Sequence, residues 1–147
     1  MIATSRDWTW EELEVGQKCE VEHVLSKQHY EHFLAISGDV SPIHADMEAA
    51  KRYGFRGIIT HGGMLAGYAS NMIGMHLPGK RAMSLSTELR YIKPCYLEDR
   101  VVLAAEILQK MEVNRVVVLA LRFFRVPDGE LVATGRAMAT ILRDPNP

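Results

Sequence analysis

Apolar and polar positions change period along this chain, and each change marks an element. "KCEVEHVL" (18–25) alternates well enough for a strand. Ser26 can then cap a helix over "KQHYEHFLAI", where Tyr30, Phe33 and Leu34 fall at helical spacing and Gly38 stops the run. Asp46 can cap a second, short helix, "MEAAKRYG", again closed by glycine. In "GIITHGGMLAGYASNMIGMHLPG" (57–79), Met64, Leu65, Tyr68, Ala69, Met72 and Ile73 recur at helical spacing, and the other face carries Ala66, Gly67 and Ser70. No Asp, Glu, Lys or Arg lies between Arg56 and Lys80. A helix without a charged face is expected to be buried nearly all round.

From residue 82 the period becomes that of strands. "AMSLSTELRYI", "RVVLAAEIL", "NRVVVLALRFFRV" and "ELVATGRAMATIL" read as long strands, the last two joined by the hairpin turn "PDGE". Pro94 suits a strand end rather than a central ladder. The outline is one early strand, two or three helices, then an antiparallel meander wrapped on the central helix, an α+β layer arrangement. No composition break, repeat or low-complexity linker divides the 147 residues, so a single domain 1–147 is expected, with "RDPNP" (143–147) as a short flexible tail.

Bulk properties remove several classes. A formal net charge of −1 gives no footprint for nucleic acid or an anionic membrane surface. The N-terminal "MIATSRDWTWEELEVG" lacks the apolar core of a secretion signal, and the longest strictly apolar run, "VVVLAL", is too short to span a bilayer. Cys19 and Cys95 form no CxxC pair and read as reduced, packed thiols in a cytoplasmic protein.

"SGDVSPIH" (37–44) carries the candidate chemistry. An acid and an imidazole five residues apart share no face of a helix or of a strand. Pro42 fixes its own φ and holds Ser41 extended, so a stiff bend between two helices can swing His44 back beside Asp39. Such a pair can hold a water, one partner accepting a proton while the other supplies one. Taken alone the motif is equally an Asp-capped turn with a bystander His. In "THGGML", Gly62 and Gly63 open the central helix, where free N–H groups and the positive dipole end can stabilise charge on a carbonyl oxygen.

"FLAISGDVSPIHAD" followed by "ITHGGMLAGYAS" resembles the MaoC-like (R)-specific enoyl-CoA hydratases, which have the hotdog fold. The family pattern is S-G-D-x-N-P-x-H, then H-G-M, then a serine along the central helix, and the spacing of Asp39, His44, His61-Gly62 and Ser70 keeps to it. The similarity covers roughly residues 14–142. It implies that Asp39 and His44 hold the catalytic water and share base and acid work on a 2-enoyl thioester. It implies too that the Gly62 N–H binds the thioester oxygen, Ser70 supports Asp39, and Gly63 and Met64 line the substrate's path. The product would be the (3R)-hydroxyacyl thioester. The substrate would be carried on coenzyme A or a carrier protein, with no separate cofactor and no metal, in a homodimer. Two positions depart: Ser41 stands where Asn is usual, which alters the bracing of the loop, and Gly63 where Met is common, which widens the tunnel entrance.

Other signals are weaker. His23, His29, His32 and His76 read as surface or helix-side residues, and His61 as a holder of the turn. His44 and Asp46 lack a third metal ligand at useful spacing. Lys51, Arg52, Arg56, Lys80, Arg81 and Lys93 read as scattered surface charges, although phosphates of coenzyme A would suit them. The alternatives are 3-hydroxyacyl-ACP dehydratase running the reverse reaction, a thioesterase on the same scaffold, and a non-catalytic acyl-CoA-binding module, for which a proton-transfer pair has no use.

Overall fold

The structure, a computed structural model, describes residues 4–145. Ten elements follow one another: β1 (Lys18–Val24), α1 (Lys27–Ser37), α2 (Pro42–Ala45), α3 (Met47–Arg52), α4 (Gly62–Asn71) with a π turn over Met72–His76, then β2 (Ala82–Tyr91), β3 (Arg100–Met111), β4 (Val116–Val126) and β5 (Leu131–Ile141). The strands form one sheet in the order β1-β3-β4-β5-β2, antiparallel at every pairing. The expected hotdog arrangement, an antiparallel sheet around a helix, is what the chain adopts.

Alternation along the strands explains why the sheet wraps that helix. In β3, Val101, Leu103, Ala105 and Ile107 are buried, while Val102, Ala104 and Glu106 between them keep some exposure. Leu103, Ala105 and Ile107 pair across the ladder with Phe123, Leu121 and Leu119 of β4, which are fully buried on the same face. Met64, Leu65, Ala69, Met72 and Ile73 from the helix pack into one cluster with these residues. The outer face carries polar pairs such as Arg122–Glu106 at 3.3 Å. "PDGE" forms the β4–β5 hairpin, with Asp128 Oδ1 accepting the Glu130 N–H at 3.1 Å.

The central helix begins at Gly62, where the glycine pair was expected to open it, and 57–61 before it run extended, with Ile59 bridging Tyr96. Two expectations need correction. The helix is not buried all round, since Gly67, Ser70 and Asn71 are exposed. The sheet covers one side and α1 part of another, and small uncharged residues occupy the strip left over. Proline at position 42 opens a one-turn helix, α2, that the bend reading did not contain. The tail reading falls partly outside the described residues, at 146–147; within them Asp144 comes to 4.0 Å of Arg81.

Replacing Phe123 by Ala deletes the largest fully buried side chain and leaves a cavity. Urea unfolding should show a loss of about 3–5 kcal/mol.

Candidate active site

The acid and the imidazole are brought together by local geometry on either side of Pro42. Gly38 closes α1 in the left-handed region (φ 65°), a conformation that glycine adopts without strain, and its N–H bonds Leu34 O at 2.9 Å. Ser41 is extended (φ −55°, ψ 148°), α2 starts at Pro42, and Asp46 caps α3 by accepting from the N–H groups of Glu48 and Ala49. Across this bend Asp39 Oδ2 lies 3.8 Å from His44 Nε2. That separation is too long for a direct hydrogen bond and short enough for one water to touch both.

Each partner is fixed in a chemical form. His44 Nδ1 donates to Ile59 O at 2.7 Å, so in the neutral ring Nε2 keeps its lone pair and turns it toward Asp39. The Asp39 carboxylate accepts the Ser41 N–H at 3.0 Å. Ser41, through backbone and side-chain hydrogen bonds, is the main reason the Asp39 carboxyl sits below its ordinary value of 3.8; His44 and His61 lower it further. Serine at position 41 therefore still braces the loop.

His61 precedes α4 as its N-cap residue but makes no side-chain bond to that helix. Its Nε2–H reaches back to the Asp39 carbonyl at 2.8 Å, and its ring stacks on His44 at 4.0 Å between centroids. Without a side-chain cap, the first amides of α4, beginning with Gly62, stay open to an anionic oxygen. A cavity of about 210 Å³ lies at this helix end, lined among others by His44, His61, Gly62, Leu65, Tyr91 and Lys93.

The remaining predicted residues fall elsewhere. Ser70 is exposed toward the far end of α4 and makes no hydrogen bond with Asp39 among the described residues; Ser41 does the bracing expected of it. Gly63 does not widen an entrance, because Phe33 fills the space: a Cβ there would come within 2.3 Å of the ring. Met64 is buried, and it lines a separate apolar groove of about 250 Å³ with Phe33, Ile36 and Tyr68. The other glycine is equally hemmed in, its missing Cβ lying 2.6 Å from the Tyr91 ring.

Sequence reading missed the clamp from α1. Tyr30 donates its hydroxyl proton to the His44 carbonyl, and the Tyr30 and Phe33 rings lie 5.6 and 5.0 Å from the His61 ring. Their spacing on one helix face was visible but identical to that of core packing. His23 and His29 are not simply solvated: His23 stacks on Tyr68 at 4.2 Å and His29 Nδ1 meets its hydroxyl at 2.9 Å. Burial pushes the Tyr68 phenol up to about 12 and the His23 imidazole down. Of the basic residues singled out, Lys93 alone lines the cavity, and it faces Glu130 at 3.5 Å. Cys19 and Cys95 are unbridged, and burial pushes the Cys95 thiol up to about 11, as suits packing.

Among the described residues the His44–Asp46 pair gains no third metal ligand, since Asp46 caps α3, but a different set, Asp39, His44 and His61, brings ligand-type atoms within 4.8 Å of one another. The hydrogen bonding fits that role poorly, because His61 Nε2 carries the proton it donates to Asp39. The arrangement suits proton transfer.

No helix among the described residues is long and apolar enough to cross a membrane. A family model described as "MaoC like domain" matches residues 11–122. The (R)-specific enoyl-CoA hydratase of Aeromonas caviae is 32% identical over 129 residues, 88% of this chain and 96% of that one. A mitochondrial 3-hydroxyacyl-[acyl-carrier-protein] dehydratase of Arabidopsis thaliana is 26% identical over 131 residues, 88% of this chain and 78% of that one. The unliganded R-hydratase of Pseudomonas aeruginosa superposes with a TM-score of 0.84 at 32% identity, covering 92% of this chain and 86% of that structure.

The depressed carboxyl of Asp39 gives a signed pH dependence. Its contribution to folding stability is complete above the ordinary value near 3.8 and is lost as pH falls through the lower folded value. Carboxyl ¹³C titration should find the Asp39 midpoint below 3.8, and Ser41→Ala should move it part of the way back up.

Proposed function

The chain belongs to the family of MaoC-like domains and is a hydro-lyase, and from that premise we propose that it adds water to a (2E)-enoyl-CoA to give the (3R)-3-hydroxyacyl-CoA. The observation that carries this reading is the 3.8 Å approach of Asp39 Oδ2 to His44 Nε2 beside the uncapped start of α4.

In this mechanism a water sits between the Asp39 carboxylate and the bare Nε2 of His44. Nε2 takes a proton as the water oxygen bonds to C3 of the enoyl thioester. Electrons of the C2–C3 double bond move toward the thioester oxygen, where the Gly62 N–H and the positive end of α4 stabilise the enolate-like charge. Asp39, held ionised by Ser41, steadies the imidazolium that forms. The proton then passes to C2, which balances the addition: one O–H bond and the C2–C3 π bond are broken, and one C–O and one C–H bond are made. The steps are redox-neutral, so the reading assigns no cofactor; coenzyme A arrives as part of the substrate. Ser70 has no part in these steps. Gly63 and Met64 contribute through the packing beside the site, where Phe33 and the apolar groove lie.

Dehydration of a 3-hydroxyacyl chain on a carrier protein is the same chemistry reversed, and the Arabidopsis relative's name supports keeping it as the second reading. A homodimer is part of the proposal: β2 is an edge strand whose Met83 and Leu85 are about half exposed, at 49% and 51%. The unbridged cysteines support a cytoplasmic setting.

The test is loss of enoyl absorbance with crotonyl-CoA and longer enoyl-CoAs, run beside carrier-protein thioesters and a free-thiol assay for hydrolysis. Asp39→Asn and His44→Ala should each lower turnover by about 10² to 10⁴ while the protein stays folded. Wild-type rates in both variants, or thiol release without hydration, would remove the mechanism.

A further inference from the structure

We propose that His61 is a positioning residue for the hydration reaction: it holds the Asp39 main chain and the His44 ring in register, and leaves the helix behind it uncapped so that the Gly62 amide stays free. The inference rests on the hydratase reading above and adds to it a residue that acts by holding the reacting pair in place.

Three observations carry it. Helix N-cap positions favour Ser, Thr, Asp or Asn, whose side-chain oxygens accept from the helix's own amides. His61 occupies the N-cap position of α4 and makes no such bond. Its side chain turns the other way, across 22 residues, to donate from Nε2 to the Asp39 carbonyl at 2.8 Å. Its ring also lies against His44 at 4.0 Å and 27°, and the His44 ring is anchored on its far nitrogen by Ile59 O. Stacking on one side and a hydrogen bond in the ring plane leave the His44 ring little freedom to turn.

The His61 ring is itself immobilised. It is 3% exposed, with Tyr30 and Phe33 of α1 packed around it. Nδ1 is buried without a hydrogen-bond partner among the described residues, so the ring is held through Nε2 and its packing. A residue that merely closed the turn would not need an imidazole: an asparagine would bond the α4 amides directly. An imidazole reaches Asp39 and keeps those amides available.

Reach and capping can be separated by two amides that differ by one methylene. Glutamine carries an N–H about as far as Nε2 of histidine; asparagine falls short of Asp39 and is a good N-cap. His61→Gln should keep kcat within about fivefold of wild type. His61→Asn should lose about 10²-fold, the scale of a misplaced reacting group. KM should change little in either, and the Asn variant should have an unchanged or higher Tm. The ring Nδ1–H signal of His44 in ¹H–¹⁵N spectra should persist in wild type and His61→Gln and exchange away in His61→Asn. Equal kcat in the two variants, or a His44 Nδ1–H signal indifferent to both, overturns the proposal. A wild-type protein with no hydratase activity sinks the functional reading instead, and the His44 signal then decides this one alone.

Discussion

The site depends on one short extended segment, Ile59–Thr60, that is hydrogen-bonded on both sides. The Ile59 N–H bonds Ile43 O at 3.0 Å, and the Ile59 carbonyl receives the His44 Nδ1–H at 2.7 Å. Thr60, 4% exposed, donates both its N–H and its hydroxyl to Cys95 O, at 2.8 and 3.1 Å. Two residues thus tie α2, the β2–β3 connection and the start of α4 together. Buried backbone groups are paired at a premium in the interior, so this segment cannot shift without leaving several of them unmet. His61 and Gly62 follow directly, and their placement inherits the rigidity of the sheet.

Around that segment the two members of the acid–imidazole pair sit in opposite environments. Asp39 is about half exposed (47%) and ionised, its carboxylate held by the hydrogen bonds of Ser41. His44, 13% exposed, is enclosed by the His61 ring, the Ile59 carbonyl and the neighbouring α1. In the proposed mechanism the group that stays charged faces water, and the group that offers a lone pair is shielded and held in one tautomer. That division follows from backbone placement.

The glycines opening α4 do a different job from the one their type suggests. Conformational freedom is not what they supply here; both have the negative φ of a helix. They supply absent side chains, since Tyr91 lies over Gly62 and Phe33 over Gly63 at distances no Cβ tolerates. Aromatic rings from β2 and α1 therefore close on the helix end from two directions and shape what can reach its amides.

Much of this was legible in the residue order. The strand and helix periods, the Ser26, Gly38 and Asp46 caps, the "PDGE" hairpin and the Asp39–His44 convergence each follow from local rules about dihedrals, burial and turn chemistry acting over a few residues. The glycine pair marked the start of α4, whereas the extended path of 57–61 before it is made by pairing with Tyr96 and Cys95. What fills the space beside Gly63 and where the His61 proton goes depend on contacts between segments 20 or more residues apart. Spacing along a chain encodes local geometry, whereas a side chain's partner across the fold is decided when the sheet, the bend and the helix pack against one another.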